Sequence, residues 1–251
     1  MIPADYLIQH GLTAENLQLV EKRSVNEVFI SDLYALKLSR PETRDWINHA
    51  REAQVALAEI GYGVKTAKPI VWGEDFSIWE RIHGQTIHGD SVTESFLSDL
   101  LDCLELIHNN PFEPMPTGYD PFWMGDQSHV EYASSISELT SKDIRKIQDV
   151  LLEPTRISRP VFIHGDVYAD NIFSNEQGDF TALIDWGNAG WYSLERECAF
   201  MDSNILEAAT EKWKTSLDLN LLWKMRLNFL LEIFPRGGIS VTAIHEALSK
   251  L

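Results

Sequence analysis

The pattern of apolar and polar positions divides the chain into a strand-rich beginning and a helix-rich remainder. Residues 17–23, 26–31, 33–38, 68–72 and 76–81 are short, alternating, and rich in β-branched and aromatic side chains, the signature of strands in a small antiparallel sheet. Between the third and fourth of these, residues 41–60 begin with Pro41, hold few β-branched residues and close at Gly61. That predicts a capped helix packed on the sheet.

Past His83 and Gly84 the period lengthens. Leu97, Leu100, Leu101, Leu104, Ile107 and His108 recur at helical spacing as far as the Asn110-Pro111 break. Residues 141–152, 194–209 and 219–234 carry further helical patterns, whereas 161–163 and 181–184 read as short strands. The connection from 109 to 127, rich in proline and glycine, is longer than most loops and is either functional or a packed surface excursion.

Composition narrows the classes. The chain has 251 residues, 44% of them hydrophobic, enough to fill a core in which roughly 70 to 75% of the surface is buried on folding. Two cysteines, Cys103 and Cys198, are too few for a disulfide framework and lack C-x-x-C spacing, which fits small buried residues in a reducing compartment. No basic, apolar leader opens the sequence and no apolar run approaches the roughly 18 residues of a spanning helix. A cytoplasmic location without membrane association is the expectation. The formal net charge of −17 would repel nucleic-acid phosphates and anionic lipid, so neither is an expected partner. The same acidity serves solubility or steers a cationic ligand.

The chemistry concentrates in residues 161–186, V-F-I-H-G-D-V-Y-A-D-N-I-F, a polar turn, then A-L-I-D-W. Asp166 follows a buried apolar strand, Asn171 comes after four further residues, and Asp185 ends a second apolar strand beyond the turn Asn175-Glu176-Gln177-Gly178. A hairpin would bring them together. Phosphoryl transfer from ATP needs a carboxylate to orient and deprotonate the attacking hydroxyl, and hard oxygen ligands for Mg²⁺ on the phosphates. Asp166 suits the first role; Asn171 and Asp185 suit the second. The competing reading makes Asp166 and Asn171 a polar turn, and for His164 a structural role in support of the loop is preferred.

H-G-D-x-x-x-x-N followed by I-D-W resembles the aminoglycoside phosphotransferase family, which also covers choline, fructosamine and similar small-molecule kinases. Protein kinases share the logic with H-R-D-x-x-x-x-N and D-F-G, but Gly165 and Trp186 favour the small-molecule branch. The resemblance implies an α+β, two-lobed protein-kinase-like fold: residues 1–82 form a nucleotide-binding lobe with an antiparallel sheet and a helix, and 83–251 a mostly helical lobe with the catalytic loop and substrate site.

It also implies an upstream lysine on a strand. Lys37 in L-Y-A-L-K-L fits, since alternation puts Leu36 and Leu38 on one face and Ala35 and Lys37 on the other, so that Lys37 reaches the phosphates and Ala35 lies under adenine. Glu52 on the following helix is the implied partner of Lys37, with Glu59 the runner-up. In I-W-E-R-I-H-G, Glu80 and Ile82 would offer main-chain groups to adenine, and Trp79 either borders the adenine pocket or is simple core. No G-x-G-x-x-G precedes Lys37; Ser24 and Asn26 either touch the phosphates or form an ordinary hairpin turn. Glu197, before Cys198-Ala199, stands where the family commonly has an aspartate, and is expected to anchor the catalytic loop.

The expected activity is ATP- and Mg²⁺-dependent transfer of the γ-phosphate to a hydroxyl of a small molecule, an aminoglycoside or else choline, another amino alcohol or a sugar. Asp202, Glu207 and Glu211 either line an acidic substrate pocket or form a solvated helix face. A non-catalytic nucleotide-binding module is the alternative from another class, although binding alone has no need of Asp166. A metal-dependent phosphohydrolase would need a second close metal site, for which no His/Asp cluster follows the motif.

Overall fold

The computed structural model describes residues 2–20, 26–39, 64–87, 92–109, 122–157, 159–237 and 239–251, with the backbone alone at Asn26 and Arg236. The expected helix over 41–60 and most of the 109–127 loop lie outside these residues. Contacts divide the chain into two compact units: residues 1–112 with 168–190, and residues 113–167 with 191–251.

The first unit is built on a five-stranded sheet of β1 (Gln18–Leu19), β2 (Asn26–Ile30), β3 (Tyr34–Ser39), β4 (Pro69–Trp72) and β5 (Phe76–Glu80), ordered β1-β2-β3-β5-β4 with every pairing antiparallel. Period-two alternation sorts β3 as the sequence implies. Leu36 and Leu38 join Leu7 and Ile78 in one apolar cluster, whereas Ala35 and Lys37 pair with Trp79 and Ser77 on the opposite face. The apolar face packs against Leu7 of α1 (Pro3–Gln9). This helix carries Pro3 in its first turn, and the Asp5 carboxylate accepts the Ile2 N–H at 3.1 Å.

After β5, β6 (Gln85–Thr86) crosses to a second sheet, β11-β10-β6, with β10 (Ile172–Ser174) and β11 (Phe180–Leu183). Gly84 makes this crossing possible. Its φ is +133°, and a Cβ there would collide with the Ser174 carbonyl oxygen, so only glycine fits. Helix α2 (Glu94–His108) starts at Thr93, whose Oγ1 accepts the Phe96 N–H at 3.1 Å. It buries Phe96, Leu100, Leu104 and Ile107 at helical spacing, with Phe96 edge-on to Phe180.

The second unit opens with β7 (Phe122–Trp123), α3 (Gln127–Ala133) and α4 (Ser141–Leu151). It continues through β8 (Thr155–Arg156), β9 (Pro160–Ile163), β12 (Gly190–Ser193), α5 (Leu194–Ala199), α6 (Ser203–Lys212), α7 (Leu219–Ile233) and α8 (Val241–Lys250). Strand β7 pairs with β8, and β12 with β9. Thr140 and Asp143 form a capping box at the start of α4. Ile147, Leu151, Leu227, Leu230, Leu231, Ile244 and Leu248 gather α4, α7 and α8 around one core. Lys224 is 3% exposed in that region, and its ammonium donates to Glu153 Oε2 at 2.9 Å and Thr155 Oγ1 at 3.0 Å.

The single helix expected over 194–209 is two helices. Arg226 of α7 donates to the carbonyls of Ala199 at 2.8 Å and Met201 at 2.6 Å, taking the acceptors a continuing helix would use. Asp202 is extended (φ −61°, ψ 155°) as the N-cap of α6. Burial lowers the pKa of the Arg226 guanidinium, and Asp202 and Glu246 pull it back up. Among the described residues no helix is long and apolar enough to cross a membrane.

Candidate active site

Each half of the H-G-D-x-x-x-x-N signature is held within its own unit. In the second, β9 delivers the chain to His164, which is fully buried. Gly165 adopts φ +76°, left-handed backbone that glycine reaches without the Cβ penalty. Glu197, also fully buried on α5, grips the loop from behind: Oε1 accepts the His164 N–H at 3.0 Å and Oε2 the Gly165 N–H at 2.7 Å. The ring atom His164 Nδ1 accepts the Asp166 N–H at 3.2 Å, so the histidine supports the backbone of the loop. Glu197 thus sits where an anchor of the catalytic loop would.

In the first unit, the hairpin of β10 and β11 sets Asn171 beside the end of the second strand. Its turn is closed by Asn175, whose Oδ1 accepts the N–H groups of Gln177 at 3.0 Å and Asp179 at 2.8 Å, with Gly178 at φ +83°. At the open end the register Ile172↔Leu183 is extended by the Ile184 N–H donating to the Asn171 carbonyl at 2.9 Å. Asn171 and Asp185 therefore stand at the same end of the hairpin. Asn171 is 6% exposed. Asp185 sits at φ 64°, ψ 72°, a left-handed conformation that costs a non-glycine residue energy and that recurs at functional sites.

Trp186 fixes the backbone beyond Asp185. It is fully buried and its indole N–H reaches Thr66 Oγ1 at 2.8 Å and the Leu183 carbonyl at 3.3 Å. Lys37 comes across from β3, with Nζ 3.1 Å from Asp185 Oδ1. The first unit thus gathers a lysine, a carboxylate and a carboxamide oxygen. Among the described residues no cluster of three or more His, Cys, Asp or Glu side chains could hold a metal. Mg²⁺ asks for less, because phosphate and water oxygens complete its octahedron around one or two protein ligands. Asn171 and Asp185, hard oxygen donors, fit that requirement.

Ala35 pairs with Trp79 on the face that carries Lys37. Trp79 is 4% exposed and its indole N–H donates to Ser77 Oγ at 2.7 Å. Glu80 exposes its side chain while its N–H donates to the Lys68 carbonyl at 2.8 Å, and Ile82 is half-buried. Ser24, Glu52, Glu59 and the side chain of Asn26 lie outside the described residues. Glu207 and Glu211 are exposed on α6, and Glu211 takes the Lys214 ammonium at 2.6 Å. The direct pair between Lys37 and Asp185 was not anticipated, because strand alternation gives the face of a side chain and not its partner in a distant hairpin.

The sequence matches the model of the phosphotransferase enzyme family (APH) over residues 17–201. No curated protein matches it. Among solved structures the chain is similar to APH(2″)-IIa in its ternary complex with streptomycin and ATP, with a TM-score of 0.66 at 14% identity, covering 99% of this chain and 97% of that one. It is similar to the macrolide 2′-phosphotransferase MphH of Brachybacterium faecium, with a TM-score of 0.64 at 15% identity and coverages of 99% and 97%. It also resembles spectinomycin phosphotransferase APH(9)-Ia bound to ADP and spectinomycin, with a TM-score of 0.64 at 13% identity and coverages of 99% and 93%. The fold is kinase-like, an antiparallel sheet joined to eight α-helices among the described residues. The chain belongs to the phosphotransferase enzyme family.

Proposed function

We propose that this enzyme transfers the γ-phosphate of ATP, with Mg²⁺, to a hydroxyl of a small molecule, an aminoglycoside being the leading acceptor class. The observation that carries the reading is the meeting of Lys37 and Asp185 at 3.1 Å, with Asn171 at the same end of the hairpin. In it, residues 1–82 form the nucleotide lobe and 83–251 the lobe that receives the acceptor. Asp166 aligns the acceptor hydroxyl and takes its proton. Lys37 steadies the nucleotide phosphates, with Glu52 as its partner. Asn171 and Asp185 would hold Mg²⁺, which supplies charge neutralisation on the phosphates. The adenine lies over Ala35, beside Trp79, against main-chain groups of Glu80 and Ile82, and Ser24 and Asn26 approach the phosphates. Rate enhancement then comes from positioning and fixed charge.

The similar structures include complexes with streptomycin and with spectinomycin and a macrolide 2′-phosphotransferase, which supports a hydroxylated antibiotic as acceptor, and the net charge of −17 favours a cationic one. The experiment is Mg²⁺-ATP consumption against aminoglycosides, macrolides, choline and other amino alcohols, and sugars, with wild type and Asp166→Ala side by side. Acceptor-dependent turnover lost in the variant is the expected result. Full turnover in Asp166→Ala overturns the mechanism, and ATP consumption independent of every acceptor points to hydrolysis.

A further inference from the structure

A cavity of about 200 Å³ opens in the second unit beside β7 and the corner where β12 enters α5. Trp123, Ile157 and Met225 line it, with the exposed rings of Phe122 and Tyr192 and, among the described residues, a single charged group, Arg196. His164, Gly165, Asp166 and Glu197 are not among its walls.

Arg196 is the anomaly. The chain holds 38 acidic residues against 21 basic ones, yet among the described residues no carboxylate pairs with this guanidinium. Its sequence neighbours are committed elsewhere: Glu195 Oε1 accepts the Asp218 N–H at 2.8 Å, and Glu197 holds the His164 and Gly165 amides. The guanidinium carbon instead lies 4.4 Å from the centre of the Tyr192 ring and 5.4 Å from that of Phe200. Those contacts attract the charge but offer its N–H groups no oxygen acceptor. Nε is buried with no hydrogen-bond partner, and a buried donor left without an acceptor is costly.

The geometry points to a binding site for a small aryl carboxylate. Two oxygens in one plane match the two terminal Nη donors of the guanidinium, Nε being enclosed, and a flat apolar body fits against the Trp123 and Tyr192 rings. The volume admits one ring and its substituent, below the roughly 300 Å³ at which pockets for larger ligands begin. Inorganic phosphate fits the charge but not the apolar walls, which offer its remaining oxygens few donors to replace water. This site is independent of the proposed phosphotransfer, although β12 pairs with the strand that leads to His164 and Glu197 follows Arg196 directly.

The test is calorimetric titration of the full chain with benzoate, benzamide and inorganic phosphate, in wild type, Arg196→Lys and Arg196→Met, with circular dichroism to verify folding. Benzoate is expected to bind wild type saturably, benzamide at least tenfold more weakly, and Arg196→Met to lose benzoate affinity at least tenfold, with Arg196→Lys between. Should Arg196→Met fail to fold, the benzamide comparison and Arg196→Lys decide. Equal affinity for benzoate and benzamide, benzoate affinity unchanged by both substitutions, tighter binding of phosphate, or no saturable benzoate binding at millimolar concentration would each overturn the assignment.

Discussion

Lys37 Nζ and Asp185 Oδ1 stand 3.1 Å apart although 148 positions separate them in sequence. The two side chains are 19% and 48% exposed, so water screens the pair and its worth to folding is about 0 to 1 kcal/mol. Asp185 meanwhile bears a left-handed backbone (φ 64°), a cost so small an ion pair does not recover. The pair makes better sense as a preset arrangement of a cation and the carboxylate proposed above to hold the metal. Lys37→Met is expected to shift the urea midpoint little while raising the KM for ATP and lowering kcat/KM at least tenfold, read by steady-state kinetics and denaturation on the same preparation. Unchanged ATP kinetics would remove Lys37 from the nucleotide site.

Glu197 carries the opposite balance. It is fully buried and satisfies two buried main-chain donors, at His164 and Gly165. Glu197→Ala leaves both without acceptors, at roughly 1 to 3 kcal/mol each, so a loss of about 2 to 6 kcal/mol in unfolding free energy is expected from urea titration. Glu197→Gln keeps one oxygen acceptor but turns an amide donor toward the other N–H, and should fall between. A Glu197→Ala protein as stable as wild type would show that the loop is held by something else.

At Gly165, the φ of +76° makes the motif's second letter a backbone requirement. Gly165→Ala is expected to cost about 1 to 2 kcal/mol for the left-handed conformation. If the loop relaxes instead, Asp166 is displaced and kcat drops while the KM for ATP stays near wild type. Stopped-flow or steady-state assays with saturating acceptor separate these outcomes from a change in nucleotide binding.

What sequence made legible follows from the range of the forces involved. Strand alternation in L-Y-A-L-K-L sorts Leu36 from Lys37 because the rule is local, and the grouping of Asn171 with Asp185 follows from a hairpin whose turn chemistry is written in Asn175 to Gly178. The break near Met201 was hidden, because Cys198, Ala199, Ile205, Leu206 and Ala209 continue an apolar pattern while the agent that interrupts it, Arg226, arrives from α7. Helix α1 was missed for another reason: seven residues with only Leu7 buried give too short a period to detect, and its partners Leu36 and Ile78 lie on distant strands. The Arg196 cavity left no trace in the sequence because its lining comes from separate segments and follows no spacing.

Cys198 provides a pH-dependent readout of the same packing. Burial pushes its thiol well above the ordinary value, and the Glu197 and Glu195 carboxylates push it the same way. The folded chain therefore keeps the proton that the unfolded chain gives up at a pH near about 8.5. Below that value both states hold the proton and the contribution to stability is fully present. Above it the unfolded state binds fewer protons, so unfolding free energy falls as pH rises, and continues to fall until the folded thiol itself ionises. Urea midpoints measured from pH 7 to 10 should decline in wild type more steeply than in Cys198→Ala, which lacks the group. The same protonated, enclosed thiol should resist iodoacetamide in the folded protein and react once urea has opened it. Equal pH slopes in the two proteins, or rapid alkylation of Cys198 in the native state, would mean that the Glu197 carboxylate does not sit in the closed environment that its grip on His164 and Gly165 requires.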